Sequence, residues 1–578
     1  MAKKSFEEQS KIAKKAAKKR RLNKIAKSTY SKLYDELNKK QPSSVLAQDK
    51  FDQNSSSSET KSPGRAKEQK EKSFEGKLWE TAEQLRGTVE VSQYKYIALG
   101  LMFLKFISDR FEERRKEIVN TAKSEKEREI LVEDKDSYLE KNIPFLEKGC
   151  RWSDLMKVAT QRNLGLKVDQ ILRKIENTNP MLADVTPQVF TDSKIANENL
   201  TALINEFSKI GFGTKEALDT DTFGKAYEYF IGKFAMNEGR RGGQFYTPRS
   251  VVKLMVEILE PYSGLVFDPA CGSGGMFVQS QKFLKAHNGK NSDISIYGQE
   301  VIDGIWRICK MNLVLRGIDA TNIYLGDSLK NDKFPDNKKA NFILANPPFN
   351  VKEWGYEQLS SDKRWKYGTP KSSNANFAWM QHMLYQLDDN GKMGLVLANG
   401  SMSGSGVEGE IRKNIVNSDL VDCMIALSGG LFSTTGIPAC IWIFAKNKSD
   451  GKSRKRNGET LFIDARKIFT PVTRALNELS SEQLEKIAGT YRSFIGEKGY
   501  PKYEDVPGYC QVKTIKEIVK ANVLTPGRYV GAEEVEDDGE PFPEKMKRLM
   551  QEYARLSEES SKLDKEIRKN LKGIGFEI

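Results

Sequence analysis

Hydrophobic positions along this chain follow two rhythms, and the change near residue 211 divides it. Leu78, Trp79, Ala82 and Leu85 recur at helical spacing. After Gly87 the series Tyr94, Ile97, Leu101, Leu104, Ile107 and Phe111 marks one face of a long helix. Charge-rich periodic segments continue to about residue 210 with few strand signals. They predict an all-helical N-terminal domain over 74–210, with its aromatic and Met positions in the core. An amphipathic helix is expected over 223–236. Beyond it the apolar residues come in short runs bounded by turn residues, at 265–267, 294–298, 322–325, 342–345, 393–398, 421–427 and 440–445, with a candidate at 461–463. Such runs suit strands buried on both faces. Helical patterns separate them, from Ser250 onward and over 276–286, 305–316 and 376–387. The alternation predicts an α/β domain over 211–470 with a sheet of about seven strands and crossover helices. Helical character returns at 473–496 within an extension over 471–535. A charged amphipathic helix over 544–571, in a last segment 536–578, carries Met546, Leu549, Met550, Tyr553, Leu556 and Leu563 on one side. It suits docking on a partner and packing on its own chain equally.

Composition narrows the classes. A chain of 578 residues is too long for one core, so two to four domains are expected. The longest apolar stretch, 97–107, is interrupted by Lys105 and is too short for a bilayer, and no signal-peptide pattern opens the chain, so no membrane role is expected. Six cysteines without a C-x-x-C pair and only two histidines, His287 and His382, argue against zinc and fit a reducing bacterial cytoplasm. The formal charge of +14 suggests a polyanionic partner, but residues 1–40 hold fourteen Lys or Arg against four Asp or Glu, leaving the remainder nearly balanced. This basic arm reads as a helix for phosphates or as a solvated charged segment. Residues 41–73, with Ser55 to Ser58, Pro63 and Gly64, read as a disordered linker.

The candidate chemistry sits at the ends of the expected strands. The run 265–267 leads into Asp268-Pro269-Ala270-Cys271-Gly272-Ser273-Gly274-Gly275 and then a helix, the strand–glycine turn–helix arrangement in which small residues let the backbone approach a ligand. The spacing is neither G-x-G-x-x-G nor a P-loop. The next strand ends in Glu300, where an acid typically accepts both hydroxyls of a ribose, and the third ends in Gly326-Asp327, whose carboxylate can meet an adenine amino group. Each acid alone reads as a loop residue or helix cap. Three successive strand ends carrying acids, with Asn346-Pro347-Pro348-Phe349 closing a fourth, read as a ligand crevice. In that last turn the Asn346 amide and the bare Pro347 carbonyl can accept two hydrogen bonds from an exocyclic amine, Pro348 stiffens the loop, and the Phe349 ring can stack on a base. Upstream, Gln244-Phe245-Tyr246-Thr247-Pro248-Arg249 follows a glycine-rich turn, and Thr247 and Pro248 suit a helix start with free N–H groups.

These residues together resemble the S-adenosylmethionine-dependent DNA amino-methyltransferases, specifically the modification subunits of type I restriction–modification systems. The resemblance covers roughly 76–535 and rests on KLWETAEQLRG, GQFYTPRSVV, DPACGSGGMFV, NPPF, GTPKSSNANFAWMQHML, MGLVLANGSM and LSGGLFSTTGIPACIWIFAKNK. It implies a Rossmann-like methyltransferase sheet with a helical leader and tail. It also implies binding of S-adenosyl-L-methionine by Gln244 to Arg249, Asp268, Gly272, Ser273, Gly274, Gly275, Glu300 and Asp327. Asn346 and Pro347 would hold the N6 amine of an adenine flipped from double-stranded DNA, and Phe349 would stack on it. Asn at the first position of the motif implies N6-adenine rather than N4-cytosine. Cys271 is given no catalytic part, and residues 1–73 lie outside the resemblance. Only 43 residues separate Phe349 from the run at Met393, too few for an inserted domain that reads sequence. The implied partners are therefore a separate specificity subunit, with a second copy of the chain and a restriction subunit in the complex. Two rival readings stay open, a methyltransferase of RNA or protein glutamine and a non-catalytic scaffold of a DNA-defence complex.

Overall fold

The computed structural model describes Trp79 and residues 91–573, apart from 194, 212–221, 239–246, 433–437, 474–475 and 533–541. The basic arm and the linker expected over 1–73 lie outside the described residues. The chain divides into two compact units, Lys70–Glu533 and a smaller one of Met1–Gln69 with Glu534–Ile578. In the smaller unit the described element is the helix Phe542–Lys572. Its Leu549, Leu556 and Leu563, seven residues apart, are buried, while Met550 and Tyr553 are exposed.

In the larger unit the first helix whose span is described is Val91–Thr121, whose expected apolar face is buried from Tyr94 to Phe111. Glu125–Glu133, Trp152–Val158 and Asn197–Ser208 pack on it, and Leu164–Thr178 packs on the last of these. No strand occurs among the described residues up to 211. Aromatic edges join this bundle to the helix Thr222–Glu238. Phe106 meets Phe223 at 4.3 Å, Trp79 lies 5.4 Å from Phe230 and 5.0 Å from Phe234, and Tyr94 lies 5.4 Å from Phe234.

The sheet that follows contains β1 (Gly264–Asp268), β2 (Ile294–Glu300), β3 (Ile323–Leu325), β4 (Ala340–Ala345), β5 (Leu387–Ala398), β6 (Val421–Leu427), β7 (Ala439–Ala445) and β8 (Glu459–Ala465). A separate short ladder pairs β9 (Thr470–Pro471) with β10 (Asn477–Glu478), and β11 (Cys510–Thr514) returns to the main sheet. The order is β11-β8-β6-β7-β5-β4-β1-β2-β3, nine strands rather than about seven. The candidate at 461–463 is a full strand beside β6. β11 gives no signal in the sequence because it is an antiparallel edge strand whose only buried residue is Cys510, so it shows no apolar run. β5 starts at Leu387, before the expected 393, and its polar residues 388–391 sit at a register shift against β4.

The continuous runs have a simple cause. Alternate residues feed two cores, Val266, Ile296, Leu344, Ile441 and Ile443 on one face, and Phe267, Tyr297, Ile343, Trp442 and Phe444 on the other. From β1 the chain winds outward through β2 and β3, then returns to place β4 on the other side of β1. The carboxyl ends of β1 and β4 therefore flank a topological switch point, where open α/β sheets hold ligands. Among the described residues no helix is long and apolar enough to cross a membrane.

Candidate active site

The floor of the crevice is made of strand ends. After Asp268 the chain turns through Gly272 and Gly274, both left-handed, with φ of 52° and 80°. A Cβ on Gly274 would come within 2.9 Å of Cys309 Sγ, so position 274 has neither the conformation nor the space for a side chain. The turn is fixed to the next strand by Glu300. Oε2 accepts the Gly272 N–H at 3.1 Å and Oε1 the Ile302 N–H at 2.9 Å, which orients the carboxylate and leaves each oxygen able to accept again. Asp327 is held similarly, with Oδ1 accepting the N–H groups of Leu329 at 3.0 Å and Lys330 at 3.3 Å. Asp268 is almost fully buried, and only the Ala270 N–H, at 3.0 Å from Oδ1, offsets its desolvation. Burial, with the Glu300 charge adding to it, pushes the Asp268 carboxyl up to about 8. Burial also raises Glu300, against the pull of its backbone donors. A cation beside Asp268 would reverse that shift, so the site suits an ammonium group.

Asn346 follows β4 directly. Its Nδ2 donates to Thr247 Oγ1 at 2.8 Å, while its Oδ1 is buried without a hydrogen-bond partner. A buried acceptor left unpaired costs about 1–3 kcal/mol, and a donor from a ligand would remove that cost. Thr247 thus serves Asn346 and not the helix it precedes. The N-cap of Arg249–Leu259 is Pro248, whose carbonyl receives Val251 and Val252, both at 3.0 Å. The turn after Phe349 is locked by the segment preceding the helix Asn376–Gln386. Asn350, at φ 56°, takes the Asn376 Oδ1 on its N–H at 2.9 Å, and its own Oδ1 accepts from Asn374 and Asn376 at 3.1 and 2.9 Å.

Two hollows that share Gly272, Ser273 and Asn346 in their linings lie over this floor. The larger, about 260 Å³, is lined by Gly272, Ser273, Glu300, Asp327, Asn346 and Pro348 among the expected residues. The smaller, about 80 Å³, is lined by Thr247, Arg249, Asp268, Gly272, Ser273, Gly275 and Asn346. Pro248, Gly274, Pro347 and Phe349 line neither. Phe349 is buried, edge-on to Phe432 at 6.3 Å. Gln244, Phe245 and Tyr246 lie outside the described residues. The walls come from residues to which the sequence assigned no site role. Lys95 and Leu99 reach in from the helix Val91–Thr121, Ile231 and Phe234 from Thr222–Glu238, and Trp354 and Trp379 from the segment after Phe349. The Trp379 Nε1 is buried and unpartnered. Lys95 and Leu99 fall in a stretch whose helical periodicity says which face is buried, not against what. Among the described residues no group of three or more His, Cys, Asp or Glu could hold a metal ion.

Residues 218–538 match the family model described as N-6 DNA Methylase, and residues 74–207 match that of the HsdM N-terminal domain. The chain belongs to the N-6 DNA methylase family. It is 40% identical over 520 residues to the type I restriction enzyme MjaIX methylase subunit of Methanocaldococcus jannaschii, a match covering 87% of this chain and 92% of that protein. It is 47% identical over 420 residues to the HindI methylase subunit of Haemophilus influenzae, covering 71% and 92%. Among solved structures, the type I restriction-modification system methyltransferase subunit of Streptococcus thermophilus aligns with TM-score 0.65 and 25% identity, over 79% of this chain and 99% of that one. In this methylase the strand-end floor lies wholly within the first matched region, whereas Lys95 and Leu99 lie in the second. The cavity is therefore a joint product of both.

Proposed function

We propose that this chain is the modification subunit of a type I restriction–modification complex, transferring a methyl group from S-adenosyl-L-methionine to the N6 amine of a specific adenine in double-stranded DNA. The observation that carries the reading is Asn346, which lines both hollows and whose Oδ1 is buried and unpartnered. The remaining acceptors and donors fit the cofactor. The Asp268 carboxyl, in the smaller hollow, suits the methionine ammonium, with Thr247, Arg249, Gly272, Ser273 and Gly275 around it. Glu300 offers an oriented pair of oxygens to the ribose hydroxyls, and Asp327 accepts the adenine amine. Bound there, the cofactor supplies an electrophilic sulfonium methyl. The chain's own residues do the positioning. Asn346 Oδ1 and the Pro347 carbonyl accept the two amine hydrogens and turn the nitrogen lone pair toward the cofactor. Phe349, edge-on to Phe432 and outside both hollows, must turn toward the crevice to stack on the flipped base. No strong base is needed, so catalysis is mainly orientation and electrostatic complementarity.

Sequence recognition belongs, in this reading, to a separate specificity subunit, with a second copy of this chain and a restriction subunit in the full complex. Two facts support that division. The relatives are themselves named as subunits. The stretch between Phe349 and β5 is spent on anchoring the target loop, as the Asn350–Asn376 bonds illustrate, and holds only the short helices Tyr356–Leu359 and Asn376–Gln386. The test is transfer of labelled methyl to unmethylated DNA by the chain alone and with its co-purifying partner, followed by base analysis. The expected result is N6-methyladenine at one sequence only with the partner. Asn346→Ala is expected to lower turnover about 10²–10³-fold while cofactor binding persists. Site-specific methylation by the chain alone would overturn the borrowed-recognition reading, and methylated cytosine or RNA would overturn the assigned target.

A further inference from the structure

A buried arginine outside every motif reaches the loop that carries Asp327. Arg364 is 7% exposed and lies in the segment after Phe349. Its Nε and Nη2 donate to Asp362 Oδ1 and Oδ2 at 2.9 and 2.8 Å, a forked pairing that neutralises it. The same guanidinium then donates to two consecutive carbonyls, Ser328 O at 3.4 Å from Nη1 and Leu329 O at 2.6 Å from Nη2. Nη1 also meets His382 Nδ1 at 3.0 Å. Burial and the Arg364 charge push that imidazole down to about 3, so it is neutral and accepts the bond.

The two carbonyls matter because of what stands at the other end of their peptide groups. Ser328 O and the Leu329 N–H belong to one peptide plane, and Leu329 O and the Lys330 N–H to the next. Those two N–H groups are the donors that hold Asp327 Oδ1. Arg364 therefore grips the carbonyl ends of the two rigid planes whose amide ends aim the Asp327 carboxylate. A charged donor on each carbonyl also strengthens the bond made by the N–H across the plane. Asp327, Ser328 and Leu329 all line the larger hollow, whereas Arg364 does not. An ion pair serving the core alone would need only Asp362.

We infer that Arg364 is a positioning residue for the base end of the cofactor, setting the orientation of Asp327 through two peptide groups. The inference rests on the proposed role of Asp327 as acceptor for the adenine amine. Lysine cannot replace it, since an ammonium with three donors on one atom cannot span a carboxylate, an imidazole and two separate carbonyls.

The experiment compares binding of S-adenosylhomocysteine with that of its 6-oxo (inosine) counterpart to the full-length chain by calorimetry. Wild type is expected to prefer the amino form by about tenfold or more, the worth of one hydrogen bond to a carboxylate. Arg364→Lys and Arg364→Met are expected to shrink that preference to about threefold or less, the 6-oxo form binding as to wild type within about threefold. If Arg364→Met fails to fold, Arg364→Lys carries the test. Equal weakening of both ligands with the preference intact, or a lowered melting temperature with no change in binding, would overturn the inference. Asp327→Asn separates the two readings. It should abolish the preference by itself, and if it leaves a wild-type preference unchanged, the assignment of Asp327 fails and this inference fails with it.

Discussion

The floor and the walls of the cavity are built by different means. The floor consists of backbone and short side chains at four adjacent strand ends, with Glu300 bonded to the N–H groups of Gly272 and Ile302 and Asp327 to those of Leu329 and Lys330. Its geometry follows from sheet register and a few residues on each side of each strand end. The walls are long side chains brought from far away, Lys95 and Leu99 from one helix, Phe234 from another and Trp379 from a third. Directional contacts on the floor define which groups a ligand must carry, whereas the walls exclude water and shape the space. A substitution on the floor should therefore remove a specific interaction, and one on the wall should alter affinity more evenly.

The sharpest test of that division is Glu300→Ala. It removes both acceptors proposed for the ribose and leaves the Gly272 and Ile302 N–H groups without their partner. Cofactor affinity should fall by about a hundredfold or more, the cost of two charge-assisted hydrogen bonds. Leu99→Ala, on the wall, removes only apolar contact and should weaken binding by about tenfold or less. Calorimetry on the two variants checks both, and comparable losses would erase the distinction.

Glycine separates the two regions in another way. Gly274→Ala must accommodate both a left-handed φ and the Cys309 sulfur 2.9 Å away, so it should distort the turn and cut cofactor affinity by about tenfold or more. Gly304, the second residue of the helix Asp303–Val314, has no such φ, but a Cβ there would collide with the Tyr96 hydroxyl and ring. Gly304→Ala should push back the stretch of helix that bears Lys95 and Leu99, lowering stability by about 1–3 kcal/mol and weakening binding less than Gly274→Ala does. Thermal melts beside binding constants distinguish the two, and a Gly304→Ala protein with unchanged melting and binding would show that the bundle does not brace the cavity.

The same contrast explains what the sequence made legible. Strand-end acids, the glycine turn and Asn346 are readable because strand, turn and helix lie within a few residues of one another, so a local pattern implies a local geometry. The two-sided burial of β1, β2, β4, β6 and β7 is readable as unbroken apolar runs for the same reason. β11 was hidden because an edge strand with one buried residue has no such run. Arg364 lies in none of the stretches that carry the resemblance and Trp379 lies in GTPKSSNANFAWMQHML, but neither shows its role in sequence, because the 327–330 loop and the cavity are fixed only by tertiary packing. Phe349 is readable as an aromatic ring closing the Pro-Pro turn, yet its burial beside Phe432 depends on a strand pair more than 70 residues on.

Asp268 supplies a pH-dependent test of the floor. Its folded pKa of about 8 lies above the ordinary carboxylate range, so the neutral carboxyl is the favoured form in the free protein. The stability this contributes is fully present at low pH and is lost as pH rises from the carboxylate range through about 8. A ligand ammonium selects the ionised form, so binding has the opposite slope. Affinity should tighten by up to about tenfold per pH unit as pH approaches 8 and level off above it, with proton release on binding at pH 7. Calorimetry in buffers of differing ionisation enthalpy reads that proton. Asp268→Asn should flatten the profile, and an unchanged profile would place the ammonium elsewhere.

The smallest expected effect concerns the wall alone. Trp379 keeps its indole N–H buried and unpaired in the described structure, a cost that the ligand-free protein bears unless a ligand acceptor relieves it. Trp379→Phe keeps most of the ring and removes the donor, so the two consequences should have opposite signs. The ligand-free chain should gain up to about 1 kcal/mol of stability, because no donor is left unsatisfied, while cofactor affinity falls by about threefold to tenfold. A purely space-filling tryptophan would lose packing on truncation and show lower stability with little change in binding. Melting and binding measured on the same variant therefore decide whether Trp379 makes a directional contact of the kind the floor makes.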